Sequence, residues 1–146
     1  MHNKPQVLLV DDNPADIDLT SEALSRGRFP HRVSSVPDGV EAVAFLRREG
    51  KHMNAQRPDL VILDLNLPRK NGRAVLAEVK SDPSLRRTPV VIFSTSQARP
   101  DIGRSYELGA NSYVCKPGNL HEFVQAVQAI SDFWLGCAAL PQGEES

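Results

Sequence analysis

Cysteine is scarce in this chain of 146 residues. Only Cys115 and Cys137 occur, which excludes a disulfide framework and a zinc-ligand spacing and points to reduced thiols. Neither sign of charge is in excess. Lysine and arginine number 17 against 18 acidic residues, for a net charge of -1. That balance gives no electrostatic case for a nucleic-acid partner or an anionic membrane surface. No apolar run approaches the roughly 20 residues of a membrane helix. His2, His31, His52 and His121 fall in different predicted elements without ligand spacing, so none is taken as a catalyst. Met1-His2-Asn3-Lys4-Pro5 leads straight into a strand and carries no signal-peptide core. The expectation is a soluble, cytoplasmic protein. Repeats and low-complexity tracts are also lacking. One domain is expected over 1–146, with a core from 5 to 135 and a tail from 136 to 146.

What is present is an alternation of short apolar runs and helical patterns. Two runs end on aspartate: Val7-Leu8-Leu9-Val10 meets Asp11 and Asp12, and Leu60-Val61-Ile62-Leu63 meets Asp64. Runs of this kind read as buried parallel strands. Strands are predicted over 6–10, 31–36, 59–63, 89–93 and 112–115. Between and after them come helices. The first runs from Asn13-Pro14 to about Arg26, with Asp16 and Asp18 suited to its positive end. The second starts at Pro37-Asp38, and the third follows a loop from Pro68 to Gly72 and runs to about Lys80. The fourth covers Gln97 to Leu108, and the fifth is capped by Asn119, with Phe123, Val124, Val127, Ile130 and Trp134 at helical spacing. Five strand–helix units predict right-handed crossovers and a three-layer α/β/α fold. The flavodoxin-like doubly wound order 2-1-3-4-5 puts strands one and three together at the switch point.

That order brings Asp11, Asp12 and Asp64 into one crevice, where they would repel strongly unless a cation joined them. Asp64 is then a metal ligand, a nucleophile, or both. Strand four ends in Ser94 and Thr95, and strand five in Lys116-Pro117. Acids, a hydroxyl and a fixed cation are what phosphoryl transfer uses. Oxygen ligands suit magnesium better than zinc.

Val10-Asp11-Asp12, Leu63-Asp64-Leu65-Asn66-Leu67-Pro68 with Asn71-Gly72, Ser94, and Tyr113-Val114-Cys115-Lys116-Pro117 occur in order. With these the chain resembles the response regulator receiver domain of two-component signalling, over about residues 5 to 135. The resemblance implies a stand-alone phosphoacceptor with only self-directed phosphotransfer and dephosphorylation, rather than an enzyme. Asp64 would take the phosphoryl group from a kinase histidine. Asp12, Asp64 and the backbone carbonyl of Asn66 would bind magnesium (manganese is the alternative), with Asp11 holding it through water. Lys116 would pair with the phosphate, and Ser94 would bond to it after transfer. Tyr113 would be the aromatic switch. Asn66 and Ser96 would tune dephosphorylation. A cis Lys116–Pro117 peptide is also implied. Asn71-Gly72 stands where many receivers have Asp or Met before Gly, and Ser94 stands for the commoner threonine.

Phe45-Leu46-Arg47-Arg48-Glu49-Gly50 and Leu65 through Arg73 narrow the likeness. They resemble the small regulators associated with phytochrome histidine kinases, which implies a phytochrome-like sensor kinase as partner. Apolar residues at the end of the fifth helix and beyond, Phe133, Trp134, Leu135 and Leu140, suggest a homodimer. Intramolecular packing of the tail is the alternative. No output domain is expected, so the readout would be a downstream protein, a phosphotransfer domain or self-association. Two rivals remain. One is a receiver-fold interaction module that takes no phosphate. The other is an aspartyl-phosphate phosphatase, which would place its nucleophile after the first strand instead of the third.

Overall fold

The computed structural model describes residues 4–141. Its strands are β1 (Gln6–Val10), β2 (Arg32–Val36), β3 (Leu60–Leu63), β4 (Val90–Ser94) and β5 (Ser112–Cys115). Its helices are α1 (Pro14–Ser25), α2 (Gly39–Arg47), α3 (Gly72–Ser81), α4 (Arg99–Glu107) and α5 (Leu120–Ser131). A 3-10 turn, Gly50–His52, lies between α2 and β3, and a π-helical segment, Asp132–Cys137, continues α5. The five strands are parallel in the order β2-β1-β3-β4-β5, as expected.

Alternation along the buried strands divides the core between two faces. Leu8, Val10, Val61, Leu63 and Ile92 face α2 and α3, meeting Ala42, Leu46, Val75, Leu76 and Val79. Val7, Leu9, Leu60, Ile62, Val91 and Phe93 face α1 and α5, meeting Leu24, Phe123, Val127 and Ile130. Each fully buried aliphatic side chain contributes about 1.5–3 kcal/mol. β2 buries only Val36, as fits an edge strand.

The helix starts follow from capping. Asn13, Asp38, Asn71 and Asn119 each turn a side-chain oxygen onto first-turn N–H groups of α1, α2, α3 and α5. α4 begins at Arg99, two residues later than expected. Pro100 fits its first turn, where a missing N–H costs nothing, and Ala98 supplies no side-chain cap.

One close approach fixes the chain beyond β3. A Cβ on Gly72 would lie 2.2 Å from the carbonyl oxygen of Asp64. Gly72 N–H meanwhile donates to Leu65 O at 2.9 Å. The loop after Asp64 therefore doubles back onto its own start, and only glycine fits there.

Candidate functional site

β1 and β3 pair in register, Val10 opposite Leu63, so Asp11 and Asp64 leave the sheet side by side. Asp64 N–H donates to Val10 O at 3.0 Å, and Asp11 N–H donates to Val36 O at 3.2 Å, which anchors both to the sheet edge. Lys116 arrives from the far side of β4. Its N–H donates to Ser94 O at 2.7 Å, and its ammonium lies 5.8 Å from the centroid of the Phe93 ring. Lys116 Nζ then donates to Asp11 Oδ2 at 2.7 Å, Asp16 Oδ2 at 2.9 Å and Asp64 Oδ2 at 3.0 Å. The lysine side chain is only 3% exposed. An ammonium has three N–H donors, and three carboxylates use them all.

Burial of Lys116 works against its charge, but bonds to Asp11 and Asp16 and the charge of Asp64 outweigh it and hold its pKa above the ordinary lysine value. Burial pushes Asp11 up, against the opposing pull of Lys116 and of the Asn13 N–H. The crevice holds more carboxylates than cations, so it retains a net negative charge that suits a further cation.

Asp12, beside Asp11, is exposed and makes no hydrogen bond or ion pair among the described residues. Asn66 is exposed, and its N–H donates to Asp64 Oδ1 at 3.2 Å. Among the described residues no three His, Cys, Asp or Glu side chains form a metal-holding group. The set nevertheless fits a hard divalent ion of the magnesium kind, which takes one or two carboxylates and keeps several waters. Asp12 is uncommitted, and Asp64 Oδ1 carries only a backbone N–H.

Ser94 is fully buried at the end of β4, while Thr95 is exposed. Ser96 lies off the carboxylate cluster. Its hydroxyl donates to Asp101 Oδ2 at 2.6 Å, and its carbonyl accepts from the Tyr113 hydroxyl at 2.9 Å. Asp101 also pairs with Arg73 of α3. Those bonds from Ser96 and Arg73 hold the Asp101 carboxyl below its ordinary pKa. Tyr113 packs on the α2–α3 side of the core, and burial pushes its phenol up.

Two residues depart from expectation. The Lys116–Pro117 peptide is trans, as are all peptides among the described residues. The reach of the lysine chain and the Ser94 carbonyl suffice to aim the ammonium. Asp16, expected only to complement the α1 dipole, lies on the lysine. Its signal in the sequence was an acid in the first turn after the Asp11-Asp12 pair, and the dipole alone explained it.

At the chain end, Trp134 and Leu135 pack against the chain's own α1–α5 core. Phe133 is 51% exposed and stacks edge-on against Trp134 at 5.1 Å. Leu140 is half-buried. A Cβ on Gly136 would lie 2.3 Å from the Phe29 ring, so the π-helical turn rests on that ring.

The sequence pattern of the response regulator receiver domain matches residues 7–128. The chain is 46% identical to response regulator Rcp1 of Synechocystis over 140 residues, 95% of each chain. The crystal structure of the phosphorylated cyanobacterial phytochrome response regulator RcpA superposes with a TM-score of 0.92 at 53% identity. That match covers 96% of this chain and all of that one. The Mn2+-bound form of Rcp1 gives 0.91 at 44% identity, covering 94% and 99%.

Proposed function

The chain belongs to the response regulator receiver family, and on that premise we propose that it is a stand-alone regulator phosphorylated on Asp64 by a histidine kinase. The observation that carries this reading is the buried Lys116 ammonium, 2.7 Å from Asp11 and 3.0 Å from Asp64. A carboxylate acceptor, a neighbouring acid and a fixed cation meet at the ends of adjacent strands. Receiver domains bind a divalent metal and are in general not enzymes.

Asp64 attacks phosphorus as a carboxylate nucleophile. A carboxylate O–P bond forms as the phosphohistidine N–P bond breaks, and the histidine nitrogen keeps the electron pair. Lys116 offers an N–H to a phosphoryl oxygen, and the Ser94 hydroxyl at the end of β4 offers another. Magnesium, or manganese in its place, held by Asp12, Asp64 and the Asn66 carbonyl with Asp11 through water, would reduce the charge repulsion between crevice and phosphoryl group. Tyr113 is the switch, because its hydroxyl is tied to the loop that follows Ser94. Asn66 and Ser96 tune the approach of water to the product. Phosphate acts by shifting a population between packings that already exist.

The likeness to phytochrome regulators supports a phytochrome-like sensor kinase as donor, in the cytoplasm. No helix among the described residues is long and apolar enough to cross a membrane. The readout is a downstream protein or phosphotransfer domain, with no nucleic acid in the path. A homodimer through α5 and the tail is supported by a groove of about 520 Å³. Val114 of the edge strand β5, Ala126, Ile130, Phe133 and Trp134 line it. Such an edge invites a second copy, with Leu135 and Leu140 completing the contact. Sedimentation of a Trp134→Ala variant with the tail removed is expected to give half the wild-type mass.

Phosphorylation is tested by incubating the protein with acetyl phosphate and magnesium and weighing it intact. One phosphoryl group is expected on the wild type and none on Asp64→Asn. An adduct that persists in that variant would move the acceptor elsewhere. A wild type that takes none would leave the interaction-module reading.

A further inference from the structure

Lys116 makes three ion pairs, and the proposed chemistry uses only two of them. The third, Asp16 Oδ2 at 2.9 Å, comes from the first turn of α1. It differs from the others in burial: its side chain is 25% exposed, against 12% for Asp11 and 11% for Asp64. As the attacking oxygen of Asp64 joins phosphorus, its bond to Lys116 passes to a phosphoryl oxygen, while Asp11, whose other oxygen accepts the Asn13 N–H at 3.0 Å, and Asp16 stay on the ammonium. Asp11 has a part in holding the metal. Asp16 adds a further negative charge beside the phosphoryl position.

We propose that Asp16 is a positioning residue whose carboxylate, bonded to Lys116, opposes the arriving phosphoryl group and so restrains phosphorylation of Asp64. It acts in two ways. It offsets part of the Lys116 charge that draws a phosphoryl oxygen, and its own charge opposes an arriving phosphate dianion. Its own place is secured by α1: Asn13 Oδ1 caps the Asp16 N–H at 3.2 Å, which keeps the first turn and its carboxylate at the lysine. Asp11 and Asp64 hold Lys116 without it, so removing the Asp16 charge strengthens the pull of Lys116 on a phosphoryl oxygen and leaves the lysine in place. The inference rests on Asp64 as acceptor.

The test compares phosphorylation rates with acetyl phosphate and magnesium, read by intact mass, in wild type, Asp16→Asn and Asp16→Glu. The Asp64 O–P bond forms as the P–O bond of the donor breaks, and acetate leaves with the electron pair. Asp16→Asn is expected to react at least about threefold faster at low ionic strength, and the gain should shrink towards none near 1 M salt, where charges are screened beyond roughly 3 Å. Asp16→Glu, which keeps the charge, should stay close to wild type. A purely structural role would not produce a gain that salt removes. An Asp16→Asn rate equal to or below wild type, or a gain unchanged by salt, overturns the proposal while Asp64 remains the acceptor. A wild type that takes no phosphoryl group instead overturns the acceptor reading, and this inference falls with it. Thermal unfolding checks that each variant folds, and Asp16→Ser carries the same expectation if the asparagine variant does not.

Discussion

Helices α1 and α4 both follow strands that end at the site, yet they are fastened differently. α1 is capped by Asn13, buries Thr20, Ala23 and Leu24, and ties its first turn to Lys116 through Asp16. α4 has no side-chain cap and buries only Ser105. It is held largely by polar bonds at half-exposed groups: Ser96 to Asp101, Arg73 to Asp101, and the Tyr106 hydroxyl accepting from Tyr113 N–H at 3.0 Å. Elements with few buried apolar contacts and solvent-accessible hydrogen bonds open at low cost. Under the proposed function the two helices would divide the work, the α1 side fixing the geometry of the chemistry and the α4 side reporting it.

The largest expected effect falls on the α1 side. Lys116→Met leaves three carboxylates without their cation, and losing one partner of a buried pair costs about 3–5 kcal/mol. Urea unfolding measures it. A loss well under 1 kcal/mol would mean that the lysine does not fasten α1, and the contrast with α4 would weaken.

A smaller effect on the same side comes from the divalent ion. Magnesium at a hundredfold excess over its dissociation constant should stabilise the fold by about 2.7 kcal/mol. Asp12→Asn should lose most of that gain without destabilising the magnesium-free protein, because Asp12 is exposed and unbonded. Thermal melts with and without magnesium check this. An undiminished gain would take Asp12 out of the ligand set.

Acid separates the two regions by sign. Bonds from Ser96 and Arg73 place the folded pKa of Asp101 below its unfolded value. Its stabilisation is therefore present above the unfolded value, near pH 3.9, and is lost as pH falls through the folded one. Burial places the folded pKa of Asp11 above its unfolded value. Its contribution is present below the unfolded value and is lost as pH rises through the folded one. Carboxyl titration by NMR without metal should give Asp11 the higher midpoint. The reverse order would remove the electrostatic difference between the regions.

Much of this was legible in the sequence. Strands β1 and β3 are continuous apolar runs, so their position and their aspartates could be read directly. The alternation with helices implied a parallel sheet, and the flavodoxin-like order that fits it is the one observed. Asp11, Asp64 and Lys116 then came together because parallel strands present their carboxyl ends on one side. What escaped depended on contacts between distant segments or on side-chain direction. Asp16 had a sufficient local explanation in the helix dipole, so nothing in the sequence required its bond to Lys116. α4 starts later than its sequence pattern suggests, because Gln97 and Ala98 carry no capping side chain to mark a boundary. The seating of Gly136 on Phe29 joins segments far apart in the chain, and no periodicity encodes it.

Hydrogen exchange across the chain, with and without stoichiometric phosphorylation by acetyl phosphate and magnesium, tests the division between the two helices most directly. The expected result is altered exchange over Ser96 to Glu107 and at Tyr113, with the buried turns of α1 from Thr20 to Leu24 unchanged. Unchanged exchange over α4 in fully phosphorylated protein, or a change confined to the α1 core, would contradict it.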